Sequence, residues 1–396
     1  MQRLSASCVT VIFFVFTFAC SAGPRAEDGG AGAVGQGLSL STPRKLLPFV
    51  VLEGGRVLAS GGHDGNRTLR NCEVFEPQTG RWQETGAMRT RRRNHAAVRL
   101  ADGRVLVTGG SNGVAMGALA EAEVYSPATG TWTEVRPMAE RRNDPAAVLL
   151  PDGRVLVAGG TDVDQRPLRS AELFNPETET WSAASASGFP RGGARTAVVL
   201  ANGKALFVSG LQAELYDPAT GLWEKAGPVG GAAGTHRLAH SVTLLPDGRV
   251  LVVGGTTARA AATAEVYSPE TGAWTLVGAP QVPREHHATV VLPDGSVLMM
   301  GGEHYTTGAL ASVERFDLKT DTWSSAPALE EPREKLGALA LGDGAVLVMG
   351  GGNEAMGMLS ESERYVPGAC DVAPCAARGA SGSEPVVELS AAGRGE

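Results

Sequence analysis

The chain has 396 residues, 43% of them apolar and 19% charged, a balance that supports a folded core and excludes wholesale disorder. Its formal net charge of -7 argues against nucleic acid as the main partner, because domains that grip phosphate backbones carry a net basic footprint.

In chain order, residues 1–22 read as an export signal. Arg3 precedes an apolar run from Cys8 to Cys20 that is too short to cross a bilayer as a helix. Thr17-Phe18-Ala19-Cys20 resembles a bacterial lipobox, which implies lipidation of Cys20 and an outer-membrane lipoprotein; plain secretion after cleavage at Ala22 is the competing reading. Either way the chain is expected to leave the cytoplasm, touching a membrane only through such an anchor. Residues 23–33, rich in Gly and Ala, read as a flexible tether.

A repeat follows. A hydrophobic segment closing on two small residues recurs seven times, ending at Gly62, Gly110, Gly160, Gly210, Gly255, Gly302 and Gly351. Before each lies a β-branched or Leu-rich run and a turn dipeptide such as Asp102-Gly103 or Asp152-Gly153, which suits a two-residue type I′ hairpin with positive φ at both positions. After each comes a Glu two residues ahead of an aromatic, as in Glu73/Phe75, Glu123/Tyr125 and Glu363/Tyr365. That spacing puts the pair on one face of a third strand. A second turn leads to Trp82, Trp132, Trp181, Trp223, Trp274 or Trp323 on a fourth strand. Each unit is thus a four-stranded antiparallel meander whose faces must be covered by its neighbours, which predicts a closed ring of blades. The Gly-Gly, Glu-x-aromatic and Trp pattern over residues 44–367 resembles the kelch repeat and implies an all-β, seven-bladed β-propeller.

The seventh unit has no Trp after Tyr365. An Arg recurs ten places before the hairpin Asp (Arg92, Arg142, Arg237, Arg284, Arg333), with Arg191 one place out of step, and Arg44 holds that place in the first unit. Counting back from it aligns Leu40 with Met88 and Val34 with Trp82, so Val34–Leu40 is expected to supply the last outer strand and the propeller to span residues 34–367. Val386-Val387-Glu388-Leu389, in a tail of residues 368–396 read as disordered, is the rival.

The repeated Arg and Glu read as joints between blades, since every blade needs such a joint, and the Trp and Tyr/Phe residues as interblade packing. Gly109-Gly110-Ser111-Asn112-Gly113 matches the spacing of a hydrolase nucleophile elbow but lies at a strand end with no helix to follow. Asp162-Val163-Asp164 reads as a solvated loop. Galactose oxidase, whose propeller resembles this repeat, holds copper through His and Tyr side chains; here His286-His287 and His304-Tyr305 form the densest metal-capable group, yet no second Tyr with a Cys accompanies them. No cofactor and no metal are therefore expected. In the oxidising space outside the cytoplasm, Cys370 and Cys375 are expected to close a small disulfide loop.

With strands committed to packing, binding falls to the connections: the loops after each glycine pair and the interblade links. The basic run Arg89, Arg91, Arg93 and Arg141, together with His304 and Tyr305, forms the candidate binding set. The expectation is a monomeric binding scaffold for a protein or an anionic glycan; the alternative is a sugar-active propeller enzyme resembling galactose oxidase or the bacterial sialic acid mutarotase.

Overall fold

A computed structural model of the chain describes residues 38–113, 117–190, 197–229, 237, 239–255 and 263–368. Their strands form seven antiparallel sheets of a β-propeller, six with four strands and the last with three. In blade 1, Phe49–Val51, Val57–Ser60, Cys72–Glu76 and Arg81–Thr85 pair in sequence order. Blade 7 comprises Gly337–Ala340, Val346–Met349 and Glu363–Tyr365.

The second strand of every blade is buried along its whole length or nearly so, as in Val105–Thr108 and Val346–Met349. This is why these segments read as unbroken apolar runs. Each outer strand alternates instead, exposing Thr131 and Thr133 while Trp132 stays half-buried.

Seven apolar clusters fill the seven interblade contacts. Val50, Leu58 and Val74 of blade 1 pack with Val105, Val107, Tyr125 and Trp132 of blade 2. The same arrangement closes the ring, where Leu347 and Met349 of blade 7 meet Val57, Phe75 and Trp82 of blade 1. A Cβ on Gly337 would run into the Phe49 ring, so the seam requires glycine there. The Glu-x-aromatic and Trp positions pair across strands, Tyr125 against Trp132 with ring centroids 5.0 Å apart. The indole N–H then donates to the preceding blade, Trp132 Nε1 to Gly86 O at 2.8 Å.

One expectation is corrected. The Asp-Gly turn is not type I′, because only the glycine has positive φ (Gly103, 86°). Gly103 N donates to Leu100 O at 3.0 Å and Leu100 N to Arg104 O at 2.8 Å, a type I turn closed by a glycine bulge. The Asp is there for another reason: Asp102 Oδ1 accepts from Arg104 N at 3.0 Å, satisfying a backbone group that the turn leaves over.

Most of Val34–Leu40 falls outside the described residues, as do Cys20, Cys370, Cys375 and the rival C-terminal segment. The described end, Leu40, donates its N–H to Ser360 O at 2.8 Å, as Met88 N does to Arg70 O in blade 1 at 2.9 Å. Leu40 is buried against Leu47 and Ala59. It therefore stands beside the residues leading into the third strand of blade 7 as Met88 stands beside those leading into that of blade 1.

Candidate binding site at the channel mouth

Two kinds of connection meet on one rim of the ring. The links between blades form bridges with the loops after the glycine pairs, Lys45 with His63, Arg93 with Ser111, Glu285 with Glu303 and Glu334 with Gly352. We call this the upper rim; the Asp-Gly turns lie at the other ends of the same strands.

Beneath the upper rim sits the repeated joint. Arg92 is fully buried and donates from Nη1 to Gly109 O (3.1 Å) and Glu121 O (2.9 Å), and from Nη2 to Glu123 Oε1 at 2.8 Å. Glu123 also accepts from the backbone N–H of Arg89 (2.7 Å) and Thr90 (3.1 Å). One carboxylate thus ties together an incoming link, its arginine and the third strand of the blade it enters. Arg44 with Glu73, Arg142 with Glu172, Arg237 with Glu265 and Arg284 with Glu314 repeat the geometry. Arg333 keeps both carbonyl bonds, to Gly350 and Glu361, while Glu363 accepts from Glu330 N at 3.1 Å. Burial lowers the Arg92 pKa, and the adjacent Glu123 opposes that shift. These groups serve the ring: their hydrogen-bond partners belong to the blades and to the links that join them.

Two residues beyond each joint arginine the backbone enters the left-handed region. Leu46, Asn94, Asp144, Ala239, His286 and Lys335 have φ between 52° and 62°, a conformation that costs non-glycine residues about 1 kcal/mol or more. It is held by hydrogen bonds from blade to blade: Asn94 N to Leu46 O (2.8 Å), Asp144 N to Asn94 O (3.0 Å), His286 N to Ala239 O (3.1 Å) and Lys335 N to His286 O (2.9 Å). All six residues line one cavity of about 410 Å³ at the mouth of the central channel. Their backbones are alike and their side chains are not. Sequence reasoning missed this ring, because it looked for chemistry that repeats; the usable signal was a repeated position whose residue type never does.

Blades 6 and 7 crowd charge at the edge of this cavity. Glu303 and Glu334 hydrogen-bond through their carboxyls, and Glu285 reaches Glu303. Sharing that hydrogen bond, with burial adding to it, pushes the Glu303 pKa up to about 7. Burial works against ionisation of Glu334 as well, but the bond from Glu303 and the ammoniums of Lys335 and Lys45 hold its pKa below the usual range. The shared proton therefore rests on Glu303. Carboxylate or imidazole atoms of Glu285, His286 and Glu303 lie within 4.8 Å of one another. Beside them His287 bonds Ser241 Oγ at 2.9 Å, and its pKa is lowered to about 3, by burial first and then by Arg284, His240 and His286.

The basic candidates lie on the upper rim but are engaged locally. Arg89 pairs with Glu134 at 3.1 Å. Arg91 and Arg141, one place before successive joint arginines, each donate to a loop carbonyl, Thr68 O at 3.3 Å and Ala118 O at 3.2 Å. Arg93 bridges Ser111 through its backbone. Ser111 Oγ accepts from Gly113 N at 3.2 Å, which makes the nucleophile-elbow string a turn. Asp162 accepts from the N–H groups of Asp164 and Arg166 at 2.8 Å each, again a loop-forming role. His304 and Tyr305 come together at the tip of a short hairpin, ring centroids 4.6 Å apart, with Tyr305 72% exposed.

A copper held by His and Tyr does not fit these residues. Tyr125, Tyr216 and Tyr267 stack on their tryptophans and Tyr365 is buried with the blade 6–7 cluster. Tyr305 stacks on His304 at an exposed tip. No tyrosine lines the cavity that His286 and His287 border.

Seven blades closed by interblade aromatics, with the divergent connections gathered on one rim, define a β-propeller of the repeat-built class. The Kelch motif model matches residues 53–89, 92–139, 143–186, 237–281 and 286–330, more than half of the chain, and the chain belongs to the kelch-repeat family. A comparison with curated proteins returns no match. Among solved structures, the fold is similar to a fungal alcohol oxidase of the AA5 family, in complex with copper: TM-score 0.68, 19% identity, covering 83% of this chain and 75% of that one. At that identity the likeness is one of fold.

Proposed function

We propose that the chain is an exported interaction scaffold whose upper rim binds a partner protein. One observation carries this reading: six equivalent mouth positions share a backbone conformation fixed by blade-to-blade hydrogen bonds yet present Leu, Asn, Asp, Ala, His and Lys. A mouth position whose backbone conformation admits such different side chains can vary with the partner recognised. Export rests on the N-terminal segment and the lipobox-like Cys20. A protein is favoured over an anionic glycan because Arg89 and Arg141 are already matched by nearby carboxylates or carbonyls.

Photo-crosslinking tests the reading. A benzoylphenylalanine at position 94 or 239 should give discrete crosslinked protein products in cells producing the chain, whereas the same group at Asn202 on the opposite rim should not. Equal labelling from both rims, or none from either, would reject it. An oxidase or sugar-active enzyme is the alternative that the likeness of fold brings with it; metal analysis of the purified protein and turnover of primary alcohols and sugars would detect one.

A further inference from the structure

The loops after the glycine pairs are not equivalent. In blades 6 and 7 they are hairpins, Glu303–His304 with Gly308–Ala309 and Gly352–Asn353 with Gly357–Met358. The facing strands of the two hairpins lie against each other. Each tip carries a large apolar group in solvent, Tyr305 at 72% and Met356 at 54% exposure. Among the described residues these are the exposed large apolar side chains of that loop set; Val51, Leu222, Leu244, Leu276 and Val366 are on strands or follow one.

Both tips are held in shape without a partner. Thr306 Oγ1 bonds His304 Nδ1 at 3.0 Å. Asn353 Oδ1 accepts from Met356 N at 2.7 Å, while its Nδ2 donates to Pro332 O at 2.8 Å. Little ordering entropy would then be lost on binding.

The charge of this sector is one-sided. Glu330, Glu354 and Glu361 are in no salt bridge among the described residues, while Glu285 and Glu303 are hydrogen-bonded to each other and Glu303 has Lys335 at 4.0 Å. The two lysines of this sector, Lys45 and Lys335, are both bound to Glu334. On blades 1–3 carboxylates of the rim do find cations, Asp64 with Arg67, Glu134 with Arg89 and Asp164 with Arg166. An exposed Tyr and Met amid unmatched carboxylates match a ligand that brings both cations and an apolar anchor.

We infer that the adjoining hairpins of blades 6 and 7 form a docking surface for a basic peptide segment of a partner protein, with Tyr305 and Met356 receiving an apolar side chain of that segment. This rests on the scaffold reading and narrows it to one sector and one partner chemistry.

The probe is a random peptide library displayed on phage and selected against the intact protein. Enriched peptides should carry an excess of Lys or Arg around an apolar residue. Synthetic copies should lose at least about tenfold in affinity to the Tyr305→Ser/Met356→Ser double variant, as expected for anchor contacts. They should also weaken against Glu354→Lys, and with added salt, while Arg89→Ser leaves them unchanged. An unchanged circular dichroism spectrum and melting point for each variant keeps folding out of the comparison. Enrichment without a basic bias, equal binding to the double variant, or no enrichment would overturn the docking surface. The crosslinking experiment at positions 94 and 239 separately decides the scaffold reading, so the two can fail independently.

Discussion

Arg92 and Asn94 are two residues apart, yet they belong to regions that obey different rules. The joint around Arg92 recurs with the same residue types because each blade must dock on the next, and removing one partner of a buried ion pair strands the other; blade 7, where Arg333 is held by carbonyls, is the variant. The ring around Asn94 recurs only as backbone. There the strained conformation is held by N–H and C=O groups that every residue but proline has, so side-chain identity is released from the fold. The lesson is where to look in a repeat protein: invariance between blades marks assembly, and divergence on an invariant backbone marks the surface open to specialisation.

The largest expected effect tests the first half of that contrast. Arg92→Ala leaves Glu123 buried without its cation and two carbonyls without a donor, and should destabilise the protein by about 3–5 kcal/mol, read as the shift in a denaturant midpoint. If the loss is under about 1 kcal/mol, the joint is not what holds the blades. Trp132→Ala removes the stack on Tyr125 and the bond to Gly86 O, and should cost about 2–3 kcal/mol; the same truncation at Trp223 should cost a similar amount if the blades are interchangeable.

His287 lies on the border between framework and mouth. Its folded pKa is about 3 against 6.5 for an exposed imidazole, so the folded state binds fewer protons than the unfolded one. Its contribution is fully present above about pH 6.5 and falls away as the pH drops toward 3. From pH 7 to pH 5 this should remove about 1 kcal/mol, with the ring's place at the cavity edge moderating the full value. His287→Gln should flatten that part of a stability profile; an unaltered profile would assign His287 to the solvated mouth. The smallest effect is the counterpart of the first. Asn94→Ala should change stability by less than about 1 kcal/mol, and a loss rivalling that of Arg92→Ala would erase the distinction between joint and ring.

Much of the framework was legible because it repeats. Seven strands closing on two small residues, the Glu-x-aromatic face and the Trp strand are period-two and period-fifty features that a sequence displays directly, and the structure places them in seven sheets. The hairpin turn was misjudged because Asp-Gly serves both a two-residue type I′ loop and a longer turn with a glycine bulge; the choice is made by strand register, which Arg99 opposite Val105 fixes. The basic run looked like a site since charge is visible in sequence while its partners are not: Glu134 lies 45 positions from Arg89, and the Thr68 carbonyl that engages Arg91 has no signature. His304 and Tyr305 were visible as residues, but that their hairpin lies against the one carrying Met356 depends on two blades being adjacent in the ring.

The seam has one further consequence. Because Leu40 N bonds Ser360 O and Arg44 N bonds Leu359 O, the chain just ahead of blade 1 is fastened to blade 7. A chain whose residues 40–44 were pulled away would leave Ser360 O and Leu359 O without their donors, and Leu47 and Ala59 without the side chain of Leu40. The easiest replacement is the same segment of a second molecule. Closure and domain exchange are thus alternative outcomes of one contact, with concentration deciding between them.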